Sequence, residues 1–289
     1  MSGYYGAPVM SFETQTEKGI RMMSNALILA IVAAVLSMIS SMASLALIGQ
    51  ITSGDYSSLM ATALGVLALV CGVLVLYLVV VILGLIGFSY VYKGKMEFGP
   101  AHEGNAGKAL WMLVAAIIFF FSSFIVAMFV GVSAGLTGAT DTALLGASLI
   151  GIVTEVFSIL YSVAVALLLF FVVKALIPPE KSTMAILAAT LYILSSVIGI
   201  VLGFVLTPSA DFLDNPLTVS FNPIWFLPGI ISGILGLIAL VLFLVLYRES
   251  IARLKSRQYT PGFQPPMMQP QYQQQFQDQQ MRWQPPPSP

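Results

Sequence analysis

The stretch LMATALGVLALVCGVLVLYLVVVILGLIGFSYVYKGK, residues 59–95, carries no charged side chain until Lys93. A helix crosses the ~30 Å hydrocarbon core of a bilayer with ~20 apolar residues. This run exceeds that length, and the surplus can be absorbed by tilt or by projection into water. It lacks the polar/apolar alternation of a lipid-facing barrel strand, so it reads as helix. Its end is ordered as a span leaving the hydrocarbon: Tyr90 and Tyr92 at headgroup level, then Lys93 and Lys95 in water.

Working outward, comparable runs recur. Six spans are expected, at about 24–50, 59–92, 109–135, 144–176, 183–206 and 226–247. The chain of 289 residues is 58% hydrophobic and 8% charged, against roughly 25% charged in soluble domains. The expected fold class is all-α, a polytopic membrane protein with six transmembrane helices. The loops bear independently on that number. All 12 Lys and Arg lie at the termini, in the 2–3 and 4–5 connections, or at the adjoining span ends. The other three connections carry Asp55, Asp141, Asp211 and Asp214 and no base. An odd number of spans would scatter the bases over both faces. The positive-inside rule then puts both termini in the cytoplasm and the protein in the cell membrane. Trp111, Trp225 and Tyr247 sit where headgroup anchors belong. Zero formal net charge provides no field to draw nucleic acid. Glu13, Glu17 and the length of the first apolar run argue against a cleaved signal peptide. Cys71, the single cysteine, reads as an apolar filler.

The membrane domain is expected over residues 14–258. Before it, residues 1–13 read as a disordered lead. Residues 14–17, TQTE, fit a capping box, with Glu17 four residues ahead of Arg21, so a helix starting near Thr14 would feed straight into span 1. After the domain, YTPGFQPPMMQPQYQQQFQDQQMRWQPPPSP, residues 259–289, is dominated by Gln and Pro with scattered aromatics. Such a segment cannot bury enough apolar surface to offset its ordering entropy and is expected to be disordered. It could dock on a proline-recognising cytoplasmic protein, self-associate, or remain a solvated tail. Pro178 and Pro179 should stop the helix of span 4. Asp211 and Asp214 offer too few oxygens for a hard cation and read as an acidic loop.

Four-residue glycine spacing occurs at Gly131 and Gly135, Gly199 and Gly203, and Gly229 and Gly233. It puts two glycines on one helix face, where backbones can approach closely, within one copy or between copies. Serines in spans 1, 3 and 5 can add interhelical hydrogen bonds.

Chemistry has few places to reside. Glu155 is the clear acid inside a span, about 28 Å along the helix from Lys174. It is either a protonatable site facing the bundle or an acid reaching outer headgroup water. The connection KGKMEFGPAHEGNAGKALW, residues 93–111, invites a nucleotide reading, but Gly107-Lys108 is followed by Ala109 and the Gly expected five positions earlier is His102. His102 beside Glu103 lacks a third metal ligand. The segment reads instead as a turn in which Gly104 and Gly107 permit re-entry into the bilayer. Lys93, Lys95, His102 and Lys108 are candidate contacts for a lipid headgroup or another anion. A zinc protease needs two histidines on a helix and a Ser-His dyad needs one inside a span; the single histidine, His102, lies between spans, so neither an enzyme nor a cofactor or metal is expected.

On YVYKGK (residues 90–95), Phe98 and HEGNAGKAL (residues 102–110), together with its length and long apolar helices, the chain resembles a family of archaeal multi-spanning membrane proteins catalogued as a domain of unknown function. The resemblance implies an archaeal plasma membrane and carries over no functional residue. The Gln/Pro tail is not expected to be shared. The function expected is structural or scaffolding, with the tail recruiting a cytoplasmic partner. The alternative is a transporter or channel for an uncharged or lipophilic solute.

Overall fold

The computed structural model describes residues 14–53, 59–137, 141–206 and 227–256. Six helices account for almost all of it: α1 (Gln15–Ser53), α2 (Leu59–Lys93), α3 (Pro100–Thr137), α4 (Asp141–Lys174), α5 (Ser182–Leu206) and α6 (Leu227–Ser256). Among the described residues there is no strand. All six helices are long and apolar enough to cross a membrane, so the protein is an all-α, multi-pass integral membrane protein. Residues 1–13, the Asp211–Asp214 loop and the Gln/Pro-rich tail lie outside the described residues.

Three antiparallel hairpins, α1/α2, α3/α4 and α5/α6, are joined by packing of α1 on α6 and of α4 on α5. The spatial order is therefore α2, α1, α6, α5, α4, α3. The first and last helices of the chain are neighbours near the middle, while α2 and α3, consecutive in sequence, flank the assembly and scarcely touch. Lipid replaces protein around these two. Leu64, Leu67, Leu74 and Leu78 of α2 and Phe120, Phe121 and Phe124 of α3 are exposed, as helices solvated by acyl chains can be at no cost.

The described core lies toward the basic ends of the helices. Ile20, Met23 and Leu27 of α1, Phe88 and Val91 of α2, and Val172, Val173 and Leu176 of α4 form one cluster with Ala185 and Ala188 of α5 and Phe243, Leu246 and Tyr247 of α6. Phe243 and Tyr247 are four residues apart on one face and wholly buried. The Tyr247 hydroxyl donates to the Leu169 carbonyl at 3.3 Å. Tyr247 thus belongs to the interior, not to the headgroup anchors expected from its position before Arg248. Farther along, Ser196 of α5 donates to Ser162 of α4 at 2.7 Å, a part-buried hydroxyl pair between two helices. Lys181, in the 3-10 turn Pro179–Lys181 that follows α4, pairs with Glu249 of α6 at 3.6 Å.

Two local expectations need correction. The connection between α2 and α3 is only residues 94–99, because α3 begins at Pro100 instead of near Ala109. Proline is well placed at a first helical position, where its missing N–H is not needed. The turning residue is Gly99, with φ of 84°, whose carbonyl accepts from the amides of His102 and Glu103, both at 3.1 Å. Gly104 and Gly107 sit inside the helix and face open space, so they are not the hinge.

Candidate functional site

The residues of the α2–α3 connection converge on the start of α1. Thr14 caps that helix, accepting from the Glu17 amide on its hydroxyl at 3.1 Å. This is one half of the capping box. The Glu17 carboxylate pairs with Arg21 at 3.0 Å. The first amides of α1 go to another acid: Gln15 N–H donates to Glu97 Oε1 and Thr16 N–H to Glu97 Oε2, both at 3.0 Å. A carboxylate at a helix N-terminus satisfies orphan donors and faces the positive end of the helix dipole. The clasp continues through Thr16, which is wholly buried. Its hydroxyl donates to the Gly94 carbonyl at 3.1 Å and lies 3.5 Å from His102 Nε2. With the Thr16 proton committed to Gly94, Nε2 is the donor and Thr16 Oγ1 the acceptor. His102 is 1% exposed and stacks edge-on against Phe98 at 5.6 Å, and its Nδ1 has no partner. The arrangement suits a neutral ring, since a second ring proton would meet no acceptor.

Two helices can share this clasp because their backbones touch. A Cβ on Gly19 would lie 2.6 Å from the Gly87 carbonyl oxygen and 2.7 Å from the Val91 amide nitrogen. One on Gly87 would lie 2.9 Å from the Gly19 oxygen. One on Gly94 would collide with Thr16 and Glu97. Of the glycines expected at helix contacts, Gly199 faces Ser232 with 3.1 Å to a built Cβ, and Gly233 faces Met38 at 3.3 Å. Gly229 faces open space. The surroundings of Gly131, Gly135 and Gly203 lie outside the described residues.

Five lysines of the basic face rest on aromatic rings. Lys18 and Lys93 lie over Tyr90 at 4.5 and 5.7 Å, Lys95 over Tyr92 at 4.8 Å, Lys108 over Phe171 at 5.8 Å and Lys174 over Phe170 at 5.1 Å. Lys93, Lys95 and Lys108 are therefore at an aromatic interface. His102, expected beside them as a headgroup contact, is buried behind Thr16 and Phe98, where no headgroup reaches it.

Glu155 stands half-buried on α4, far from the clasp along the helix. A groove of about 380 Å³ between α1, α2 and α6 is lined by Ser37, Ser41, Tyr77 and Ser232 among apolar neighbours, and Glu155 is not part of it. The hydroxyls of Ser41 and Ser232 are occupied by backbone carbonyls of their own helices. Among the described residues no group of three or more His, Cys, Asp or Glu side chains is placed to hold a metal. Comparison of the chain with protein-family models, with curated proteins and with solved structures found no match.

Sequence reasoning missed Thr16, Gly19, Gly87 and Glu97. Gly19 and Gly87 are single glycines on two helices, so a search for paired glycines within one helix passes over them. Glu97 acts on backbone 82 residues away, and nothing local announces that. The one signal available was the polar cluster of residues 93–103 itself, read as a connector and not as a cap for a distant helix.

Proposed function

We propose that the protein is a non-catalytic integral membrane protein with a structural or scaffolding role, its basic face in the cytoplasm. There the chain beyond Ser256 would recruit a cytoplasmic partner. The observation that supports this reading is the clasp: Glu97, Thr16 and His102 tie the α2–α3 connection to the start of α1. Beside it, α1 packs on α6, the helix from which the tail departs. The chain before Thr14 and the chain beyond Ser256 thus join two helices that pack on each other, which suits a platform. By the resemblance of residues 90–110, we take the membrane to be an archaeal plasma membrane.

Orientation is tested by thiol labelling in a Cys71→Ala background. A membrane-impermeant maleimide applied to intact cells should modify the Met60→Cys variant, and the Lys95→Cys variant only after permeabilisation. The reverse pattern overturns the orientation.

The role is tested by removing residues 259–289. The truncated protein should remain folded in the membrane and lose partners that co-purify with the full chain. An unchanged set of partners ends the recruitment reading. The hydroxyl-lined groove favours one second reading, passage or binding of an uncharged, lipophilic solute. Reconstituted vesicles should show no facilitated flux of such solutes. Flux that the Tyr77→Trp variant blocks would replace the scaffold by this alternative.

A further inference from the structure

Tyr90 is the one ring among the described residues that two ammonium groups share, Lys18 from α1 and Lys93 from α2. Each cation–π contact is weak at an exposed site, and the two cations repel each other. The carboxylates close by are committed elsewhere, Glu17 to Arg21 and Glu97 to the first amides of α1. Among the described residues, like charges are therefore gathered without an anion between them. Their spacing is preset: Lys18 precedes Gly19, Tyr90 precedes Val91, and Gly19 and Val91 are in backbone contact. Along α2, Ile86 and Ile82 lie four and eight residues from Tyr90 on the same helix face, and both are exposed to the membrane. From the basic end inward the order is paired cations, aromatic ring, apolar track. That is the order of phosphate, glycerol and acyl chain in a phospholipid.

We infer that Lys18, Lys93 and Tyr90 form a site for the phosphate of an anionic phospholipid in the leaflet at the basic face, its acyl chain lying along Ile86 and Ile82. A free phosphate would use the two lysines and leave the apolar track unexplained. His102 takes no part, and Lys95 at Tyr92 is a neighbour on a separate ring.

The test is native mass spectrometry of the full chain in detergent, titrated with phosphatidylglycerol, phosphatidylcholine or inorganic phosphate. The wild type should retain phosphatidylglycerol over phosphatidylcholine. At ~1 kcal/mol per lysine near an anionic headgroup, the Lys18→Ala/Lys93→Ala variant should lose about tenfold or more in apparent affinity. The Lys18→Arg/Lys93→Arg variant should keep most of it, and helix content by circular dichroism should not change in either. Three results overturn the site: undiminished retention in the double alanine variant, an equal loss in an Arg253→Ala/Lys255→Ala control, or no preference between the two lipids. Lysine-dependent uptake of inorganic phosphate that displaces the lipid overturns the lipid assignment.

Discussion

Replacing Gly19 by valine should destabilise the protein more than any other single change among the described glycines. The new side chain would begin 2.6 Å from the Gly87 carbonyl oxygen and 2.7 Å from the Val91 amide nitrogen. These are backbone atoms, and they cannot rotate away as a side chain can. α1 and α2 must separate, which disturbs Ile20, Met23, Phe88 and Val91 in the core. Overpacking typically costs 1–3 kcal/mol, and a forced separation of two backbones belongs at about the upper end. Gly84→Ala is the control. It sits on α2, the helix that Gly19 meets, with nothing within 4 Å of its built Cβ, so helix propensity should stabilise it by up to about 1 kcal/mol. Thermal unfolding in detergent, followed by circular dichroism, would show opposite shifts for the two variants. A Gly19→Val protein as stable as the Gly84→Ala protein would refute the close approach.

The second large effect is expected at Glu97. Its two carboxylate oxygens accept from the amides of Gln15 and Thr16 at 3.0 Å each. Alanine leaves both donors without that acceptor and removes a negative charge from the N-terminal end of the helix dipole. Hydrogen bonds to a charged acceptor contribute about 1.5–3 kcal/mol each when buried. Capping at a partly wet helix end is worth about 0.5–2 kcal/mol. A loss of about 2 kcal/mol is expected for Glu97→Ala. Glu97→Gln, which keeps one oxygen acceptor, should lose about half as much. Hydrogen exchange offers a local readout: the first amides of α1 should lose protection in Glu97→Ala while those of α5 do not. Equal protection in the variant and the wild type would remove Glu97 from the clasp.

What could be read from the residues divides along a physical line. The six helices were legible because lipid imposes its requirement residue by residue. A span must be apolar over its whole length, as residues 59–92 are. The chain's lysines and arginines must also leave the hydrocarbon, and their partition counts the crossings. The clasp was not legible, because a cap for α1 made by Glu97 is a fact about two helix ends brought together, not about either segment. Capping by Thr14 was legible because its partner, the Glu17 amide, is three residues away. Glycine was readable only in part. The turn was assigned to Gly104 and Gly107, yet the residue with positive φ is Gly99, directly before the proline that starts α3. The expected headgroup set failed at His102 for a related reason: neighbours in sequence point to different faces of a helix. Lys108 meets the interface while His102 turns inward to Thr16.

The adjacency of α1 and α6 bears on how the protein is made. A ribosome delivers α1 and α2 first, and their mutual grip needs nothing synthesised after Phe98 and His102. The interior around Phe243 and Tyr247 cannot be filled until the last helix enters the bilayer. The early hairpins must wait in the membrane with α1 presenting an unfilled flank, and the last helix completes the assembly by arriving between α1 and α5. The contact between α1 and α2 and the filling of the central interior thus draw on different parts of the chain, one made early and the other last. A chain interrupted before α6 would carry an intact N-terminal hairpin without the central interior that joins it to the rest.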